Sequence, residues 1–422
     1  MIATLLEFFR FLFGGQLTLF LIIVGYFWGV WALKLILSRI YKPVKNGYSS
    51  PVTVLVPTYN EDMHILHKSL DKISSYPDSV VSEIIVVTDT REPDLVSDIL
   101  FKYAEDSRFK VLSSDPGKRP ALALGIASSK EDIIVVIESD TFVNNRTIPE
   151  LIKPFEDPKV GGVVADQRIY KPYTNIASFF NMVSERIKYL ITVPMLSIFN
   201  QVTVLGGRCV AYRKKTVLPI LSDMLDEKFI RTQCISGDDG RFTSLLLENG
   251  WKTKYQSTSY VETVSPSTIR GLLKQRLRWF RNSARRTSRA LTWDGLWVWR
   301  KGAALLQMLS TWLNTVMMLL MLYVFINSVV SLNWFWFGTT WFNIILRIGI
   351  LSIGLVLTRF IKILFPIGGG KKRKWLWLIL LPWFLFMMFW VKIYSLVTMN
   401  KQGWLSRKHN GPGGFYTIEI EN

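Results

Sequence analysis

The chain has 422 residues, enough for one or two domains that each bury a core. Hydrophobic residues make up 49% of it and 16 are Trp, more than a soluble enzyme usually carries, which predicts segments in lipid. The formal net charge of +19 would suit anionic lipid or an anionic substrate; nucleic acid is not expected as a partner, because the basic runs adjoin apolar segments and match no nucleic-acid-binding motif. Two Cys and three His without metal-ligand spacing predict neither a disulfide framework nor a zinc site, and they fit a reducing cytosol.

The first predicted element is an apolar helix from about Gln16 to Leu37, in which Lys34 is the one charged residue. This run is long enough to cross a hydrocarbon core of ~30 Å. It is longer than a signal-peptide core, and no small-residue cleavage site follows it. Residues 1–40 are therefore predicted to form an N-terminal transmembrane anchor.

Residues 41–265 contain no comparable apolar run and alternate between short β-rich runs and helical patterns. The predicted strands cover residues 52–56, 84–88 and 133–137, and the predicted helices cover 64–73, 95–106 and 120–127. Strands that are apolar throughout and are joined by helices indicate a parallel α/β sheet. In such a sheet ligands bind beyond the carboxyl ends of the strands.

Polar residues at these strand ends indicate a nucleotide-sugar site. A divalent cation bound by Glu138 and Asp140 would neutralise the diphosphate that leaves with the nucleotide. Lys118 belongs to a Gly-Lys-Arg-Pro segment that opens a helix, where it would contact uracil or phosphate together with free backbone N–H groups. The alternatives are solvated loop acids at the strand ends and an ordinary turn at Lys118.

A second acidic site lies at Asp238 and Asp239, which have a glycine on each side. Transfer to an incoming hydroxyl needs a general base, and a carboxylate is the usual one. Adjacent carboxylates repel each other, so one is expected to be the base while the other is hydrogen-bonded in a structural role. The alternative is an N-cap before a helix at residues 241–248, which is compatible with either assignment.

The C-terminal part is predicted to begin with a basic segment at the membrane surface, which membrane-spanning helices follow. Residues 266–301 are predicted to lie at the inner membrane surface, since residues 270–301 hold ten Lys or Arg against one acid. They contain the motif Gln275-x-x-Arg-Trp279, whose alternative interpretation is an interfacial helix with a Trp anchor. The stretch 176–199 is also amphipathic and is predicted either to dock the soluble domain on the membrane part or to pack within the soluble domain.

Three more apolar runs predict a transmembrane bundle over residues 302–400, followed by a tail at 401–422. The predicted helices cover residues 303–330, 341–365 and 375–397. The basic run 371–374 is predicted to be cytosolic and residues 331–340 to lie outside. Strict alternation of the spans would then leave the C-terminus outside.

Taken in order, these motifs resemble the membrane-embedded family 2 glycosyltransferases, and among them most closely the hyaluronan synthases and related single-chain capsular polysaccharide synthases. The resemblance covers residues 50–300 and is carried by residues 56–61, Asp89, 117–119, 138–140, 206–213, 237–239 and Gln275-x-x-Arg-Trp279. It implies a GT-A-type, Rossmann-like α/β glycosyltransferase domain in the cytosol, combined with an α-helical transmembrane bundle in the plasma membrane.

The resemblance also implies a role for each matching position. Asp239 would take the acceptor proton, with Asp238 beside it, while Asp140 and Glu138 would hold Mg²⁺ or Mn²⁺ at the diphosphate. Gln275, Arg278 and Trp279 would close over the donor pyrophosphate and the acceptor sugar. The residues expected to contact the UDP-sugar donor are Pro57, Tyr59, Glu61, Asp89, Lys118, Ser139 and Arg208.

Several positions depart from the family pattern. Glu138 stands where the metal motif usually begins with Asp, and Arg276 replaces a Gln found in many relatives. Arg208 is not universal in its loop, and its charge would favour an acidic sugar. Residues 404–407 resemble a Trp-Gly-Thr-Arg signature near the cytosolic face, which would instead place the C-terminus in the cytosol.

The leading functional hypothesis is a processive synthase that polymerises UDP-sugars into an extracellular or capsular polysaccharide and translocates the product through its own bundle. Its expected partners are a UDP-sugar donor, a growing glycan or lipid acceptor and membrane lipids. The alternative is a non-processive lipid glycosyltransferase of the ceramide glucosyltransferase type. A membrane protein that binds nucleotides without catalysis is the third hypothesis.

Overall fold

The computed structural model describes residues 17–292, 297–330, 377, 379–401, 404–407 and 415–418. The predicted span at 341–365, the connection at 331–340 and the basic run at 371–374 lie outside these residues.

The strands of the described part follow one another along the chain as β1 (Val52–Pro57), β2 (Val81–Asp89), β3 (Phe109–Ser114), β4 (Ile133–Ile137), β5 (Thr141–Phe142), β6 (Val160–Ile169), β7 (Cys209–Arg213), β8 (Lys228–Phe229), β9 (Thr232–Gln233), β10 (Lys252–Thr263), β11 (Trp404–Arg407) and β12 (Phe415–Ile418).

The α-helices are α1 (Leu17–Ile40), α2 (Met63–Ser74), α3 (Pro93–Lys102), α4 (Lys118–Ser128), α5 (Thr147–Ile152), α6 (Ile176–Ile187), α7 (Val193–Ile198), α8 (Lys214–Val217), α9 (Leu221–Leu225), α10 (Asp238–Glu248), α11 (Ile269–Thr292), α12 (Gly302–Val330) and α13 (Leu381–Val397). A π-helical turn, Lys188–Thr192, joins α6 to α7.

Eight strands form one mixed sheet in the order β3-β2-β1-β4-β7-β6-β10-β5. The half formed by β3, β2, β1 and β4 is parallel, as predicted. β7 is antiparallel to both β4 and β6, and β5 is antiparallel to β10, whereas β6 and β10 are parallel, so the prediction of a parallel sheet was wrong for β7 and β5. β7 is buried along its whole length like a parallel strand, and its composition therefore does not reveal its direction.

The core lies on both faces of this sheet. β1 and β4 are buried at every position, because their β-branched runs pack against helices above and below. One face is covered by α2, α3 and α5 and the other by α4, α7 and α10. Each fully buried Ile or Leu contributes ~1.5–3 kcal/mol relative to an exposed one, so these two layers fix the strand ends firmly.

Two helix boundaries of the α/β domain differ from the prediction by three residues or more. α3 ends at Lys102, four residues before the predicted end, because Tyr103 leaves the helix and stacks on Phe109 with ring centroids 4.3 Å apart. α10 begins at Asp238 after Gly237, whose φ of 87° is left-handed, so the N-cap alternative placed the helix start three residues too late. Both acids therefore lie in the first turn, where the helix dipole favours negative charge.

Two helices of the described part, α1 and α12, are long and apolar enough to cross a membrane by length and composition. They pack together, with Lys34 Nζ donating to Gln307 Oε1 at 2.8 Å and Tyr26 OH donating to Asn314 Oδ1 at 3.2 Å. α13 is apolar but has 17 residues, shorter than a straight span. The four-span bundle remains a prediction.

The amphipathic stretch at 176–199 forms α6, the π turn and α7, most of which is buried. Phe179 and Phe180 pack with Leu272 of α11 and with α13, where the rings of Phe180 and Phe384 are stacked 4.5 Å apart. This segment therefore docks the α/β domain onto the C-terminal apolar helix and is covered by protein along most of its length.

Candidate active site

The carboxyl ends of β1, β2 and β4 open into a cavity of ≈ 410 Å³. α4, the loop before β7, α10 and α11 complete its walls. All of the residues predicted for the site line this cavity: Pro57, Tyr59, Glu61, Asp89, Lys118, Glu138, Ser139, Asp140, Arg208, Asp238, Asp239, Gln275, Arg278 and Trp279.

At one end of the cavity Asp89 is bound by a residue that the sequence did not single out. Arg91 donates from Nε to Asp89 Oδ1 and from Nη2 to Oδ2, both at 2.7 Å, and its guanidinium lies 4.6 Å from the ring centre of Tyr59. The hydrogen bonds from Arg91 hold the pKa of Asp89 below its ordinary value, although burial acts against this. A flat ring, a carboxylate and a guanidinium can together bind a nucleobase by stacking and by hydrogen bonds.

The loops after β1 and β4 are linked across the cavity floor. Ser139 Oγ donates to Glu61 Oε2 at 2.8 Å, although the two residues are far apart in sequence. Glu61 therefore holds the β4 loop in place, and that loop carries Glu138 and Asp140.

Lys118 lies at the centre of the site and is paired twice. Its Nζ is 2.7 Å from Glu138 Oε1 and 3.2 Å from Asp238 Oδ2. Burial acts to lower the pKa of Lys118, but the two carboxylates outweigh burial and raise it. Gly207 makes this approach possible, because a Cβ there would lie 3.1 Å from Lys118 Nζ and 3.4 Å from Glu138 Oε1.

Asp239 is the acid of this pair that does not form the ion pair with Lys118. Its Oδ1 accepts from the backbone N–H of Gly240 at 2.7 Å. Burial, together with the charge of Asp238, raises the pKa of Asp239 above the ordinary value of an aspartate. A carboxylate with a raised pKa takes a proton more readily, which a general base requires.

The carboxylates of the cavity fit a divalent cation that takes most of its other ligands from a bound phosphate and from water. Among the described residues no group of three His, Cys, Asp or Glu would enclose a metal. Asp140 is half-buried in the cavity wall, with the hydroxyls of Thr141 and Thr263 at 3.4 and 3.5 Å from Oδ1. Mg²⁺ is usually bound by one or two carboxylates plus phosphate oxygens and water, and Asp140 with Glu138 can supply that number.

α11, which packs on the apolar helix α13, closes one side of the cavity. It presents Gln275, Arg278 and Trp279, and also Asn282, Arg285 and Arg286, which the sequence analysis did not single out. Arg285 donates to Asn282 and, at 2.6 Å, to the carbonyl of Met399 just after α13. Asn282 accepts from Ser236 at 3.0 Å, so α11 is tied both to the segment before the acid pair and to the apolar helix.

Comparison with known proteins decides the family. The sequence profile described as Glycosyltransferase like family 2 matches residues 50–282, more than half of the chain. The chain belongs to this family.

Two curated relatives and one solved structure are similar to this family 2 chain. An N-acetylglucosaminyltransferase of Bradyrhizobium diazoefficiens is 28% identical over 281 residues, which cover 60% of this chain and 56% of the relative. A hyaluronan synthase of Streptococcus pyogenes serotype M3 is 27% identical over 257 residues, covering 58% and 60%. The chain thus matches less than two thirds of the length of either. A mannosyltransferase, PcManGT from Pyrobaculum calidifontis in complex with GDP-Man and Mn²⁺, is 17% identical with a TM-score of 0.57, covering 89% of this chain and 98% of that one.

These comparisons confirm the GT-A-like α/β fold of the family 2 domain. The antiparallel β7 in the middle of the sheet is part of that fold, and it is the main correction to the predicted topology.

The cavity of this glycosyltransferase-family chain also contains a charged cluster that the sequence analysis did not identify. Glu185 of α6 is 2% exposed and is surrounded by Lys188, Arg208 and Arg276. The sequence showed Glu185 and Lys188 as charges within an amphipathic stretch, but the period of a helix does not tell which partner its polar face meets.

A second undetected residue is Glu227, which lies in the loop after α9. Its carboxylate pairs with Arg119 of α4, with Arg289 of α11 at 3.0 Å and with Arg241 of α10 at 3.8 Å. These three helices also carry Lys118, Asp239 and Gln275-x-x-Arg-Trp279. No sequence signal distinguishes a lone acid in such a loop from a solvated one.

Proposed function

We propose that this chain is a processive membrane glycosyltransferase, inverting and dependent on UDP-sugars, that polymerises sugars into an extracellular or capsular polysaccharide. One observation carries this proposal. The residues proposed to bind the donor and the proposed base Asp239 line the same cavity, and α11, which closes that cavity, is bonded to the end of the apolar helix α13. The relatives named hyaluronan synthase and N-acetylglucosaminyltransferase support a polymerising or hexosamine-transferring activity.

In the proposed mechanism the donor nucleotide lies against Tyr59, Asp89 and Arg91, with its diphosphate beside Lys118 and Arg278. Asp140, with Glu138, would hold Mg²⁺ or Mn²⁺, which when bound supplies charge neutralisation for the leaving diphosphate. The solved mannosyltransferase with GDP-Man and Mn²⁺ supports a divalent cation in this fold. Arg278 is well suited to a diphosphate, because guanidinium donors match phosphate oxygens in pairs.

Transfer would follow from proton abstraction by Asp239. The acceptor hydroxyl loses its proton to the Asp239 carboxylate while its oxygen attacks the anomeric carbon of the donor. The bond from that carbon to the β-phosphate oxygen breaks, UDP leaves, and the configuration inverts because attack and departure occur on opposite faces. Gln275 and Trp279 would hold the acceptor sugar, with the Trp face against the ring.

The membrane part of the proposal rests on α1, α12 and α13. The structure attaches α11, which would cover the acceptor, directly to the end of α13 through Arg281 and Thr398 at 3.0 Å and through Arg285 and Met399. A growing chain that leaves the acceptor side would therefore meet the apolar helices. We propose that these helices lie in the cell membrane with the catalytic domain in the cytosol, and that the product crosses between them.

The decisive experiment uses the full chain purified in detergent and supplied with labelled UDP-glucose, UDP-glucuronate and UDP-N-acetylhexosamines, singly and in pairs. A long water-soluble polymer is expected. Labelled lipid would instead support a transferase of the ceramide glucosyltransferase type. Absence of transfer with every donor would contradict both enzymatic hypotheses.

A further inference from the structure

The second charged region of the cavity is the cluster of Glu185, Lys188, Arg208 and Arg276. Arg208 Nη1 is 3.4 Å from Glu185 Oε2, Arg276 Nη1 is 3.4 Å from Oε1, and Lys188 Nζ is 3.9 Å from Oε2. Three cationic side chains thus share one carboxylate at these distances. Arg208 is 7% exposed, and the charges of Glu185, Glu138 and Asp140 compensate for its burial.

Several polar atoms of this region have no hydrogen-bond partner among the described residues although they are buried. They include the donors Arg208 Nη1 and Tyr189 OH and the acceptors Glu185 Oε2 and Gln275 Oε1. The 3.4 Å separation between Arg208 and Glu185 is long for a charge-assisted hydrogen bond, which normally measures ~2.7–2.9 Å. A ligand oxygen would accept from Arg208 Nη1 and Tyr189 OH, and a ligand hydroxyl would donate to Gln275 Oε1.

The cluster is formed by other elements than the proposed nucleotide site, although the backbone carbonyl of Arg208 accepts from the Glu138 N–H at 3.1 Å. The nucleotide side is formed by the ends of β1, β2 and β4, whereas the cluster is formed by α6, the π turn, the loop before β7 and α11. Burial lowers the pKa of Lys188 while Glu185 and Asp239 act in the other direction, so Asp239 is near this side as well as near Lys118. Glu138 and Asp140 also act on Arg208, but in the proposed mechanism their charge serves Lys118 and the cation.

Glu185, Lys188 and Arg208 line the cavity directly, and Arg208 and Arg276 border Trp279 at 5.4 and 4.6 Å from the ring centre. π-helical turns are uncommon and are frequent at functional sites, and this one begins at Lys188. A sugar that stacks near Trp279 would therefore present one of its substituents to two guanidinium groups.

We propose that this cluster is a subsite for an acceptor sugar that carries an anionic group, a carboxylate or a phosphate. Glu185 is the internal counter-ion that holds the three cations in place until the acceptor arrives. This inference rests on the proposed function, because it specifies the acceptor of that same site.

The test compares three disaccharides that end in glucuronic acid, in glucose 6-phosphate or in glucose. Their binding to the full chain in detergent is measured by calorimetry without donor, and their use as acceptors is measured as kcat/KM with the active UDP-sugar. Wild-type protein is expected to favour at least one anionic disaccharide over the neutral one by about tenfold or more. The comparison between the two anionic forms identifies which group the subsite takes.

Arg208→Gln and Glu185→Gln, which have opposite expected effects, separate a binding role from a structural one. Arg208→Gln should abolish the preference for the anionic disaccharide, and Arg208→Lys should restore part of it. Glu185→Gln removes the competing carboxylate without changing side-chain size and should lower KM for the anionic acceptor. A purely structural network would instead lose binding of all three disaccharides in both variants.

The control is Arg146→Gln, which removes an arginine whose side chain is 75% exposed and which does not line the cavity. Equal binding of neutral and anionic disaccharides by wild type would overturn the subsite while leaving the proposed function intact. A preference that survives in Arg208→Gln would also overturn it. Failure of transfer with every donor, combined with retained anionic preference in calorimetry, would count against the proposed function and in favour of the subsite.

Discussion

At the scale of single residues the site separates two neighbouring acids by their surroundings. Asp238 is paired with Lys118 at 3.2 Å, whereas Asp239 is the acid whose pKa is raised, first by burial and then by Asp238. Like-charged neighbours with different partners acquire different proton affinities, which suits one to structure and the other to catalysis.

Asp239→Asn is expected to reduce transfer by at least ~10³-fold, because general-base catalysis contributes ~10²–10⁴ and the amide cannot accept the proton. UDP binding should stay close to that of wild type, since the base acts on the acceptor. Calorimetric titration of UDP and a labelled-sugar assay on the same preparation check both. A large loss of UDP affinity would contradict the role given to Asp239.

The pH dependence of transfer should have its acid limb at a higher pH than the ordinary aspartate value of ~3.9. The base must be ionised, and its raised pKa means that activity is lost sooner as the pH falls. Because the pKa of Asp239 is higher in the folded than in the unfolded chain, protonated Asp239 contributes to the free energy of unfolding at low pH. This contribution is lost as the pH rises through the folded-state pKa. At neutral pH Asp239→Asn should therefore not lower Tm. In the activity profile, an acid limb at or below pH ~4 would contradict the raised pKa of Asp239.

Asp140→Asn is expected to weaken the metal-dependent part of UDP binding. Neutral oxygen is a poorer ligand for Mg²⁺ or Mn²⁺ than a carboxylate, so the ratio of UDP affinity with metal to that with chelator should approach one. The affinity measured in chelator should be unchanged, which serves as the internal control. Full transferase activity of wild type after complete chelation would contradict a role for the cation.

At the scale of elements, one carboxylate connects the helices that carry the site. Glu227 bonds Arg119 of α4 and Arg289 of α11, and it lies near Arg241 of α10. The loop after α9 thereby sets the position of all three helices relative to one another. A largely buried carboxylate shared by several arginines is sensitive to loss of charge, because Arg119 and Arg289 would remain buried without it.

Glu227→Gln is expected to lower the free energy of unfolding by about 3 kcal/mol, in the range found when one partner of a buried pair is removed. Denaturant unfolding of the detergent-purified chain, followed by tryptophan fluorescence, measures this. The control is again Arg146→Gln, whose exposed pair should contribute at most ~0.5 kcal/mol. An equal change in the free energy of unfolding for the two variants would contradict a stabilising role of the ion pairs at Glu227.

At the scale of the whole molecule, the α/β domain and the apolar helices form one connected body. α6 and α11 both pack on α13, and α1 packs on α12 through Lys34 and Gln307. Lys34 has its amine bonded within the helix pair, as a charge in an apolar helix requires. The catalytic cavity is thus placed next to the apolar helices by side-chain packing as well as by chain connectivity.

The protein is expected to remain in the membrane fraction through washes with 1 M salt and with alkaline carbonate, and to be released by detergent. The reason is that a helix of ~20 apolar residues inserts stably, whereas surface charge contacts are screened by salt. Immunoblots of the wash supernatants and pellets check this. Release by carbonate alone would contradict spanning by α1 and α12.

The sequence by itself determined most of the residues that line the candidate site, and the parallel half of the sheet. Short apolar runs ending in acids identify strand ends of an α/β sheet, and parallel strands necessarily bring those ends to one edge. For this reason Asp89 and Asp140 could be predicted to meet without a structure, whereas Asp239 was placed with them only by the resemblance to the glycosyltransferase family.

The tertiary structure alone decided the direction of β7, the partner of Asp89 and the two clusters around Glu185 and Glu227. A strand buried on both faces has the same composition in either direction, and a helix period shows a polar face without showing what it meets. Contacts such as Arg276 with Glu185, which lie 91 positions apart, depend on how the helices pack around the sheet. The partners of Glu185 and Glu227, which hold the helices of the site together, are therefore visible only once the chain has folded.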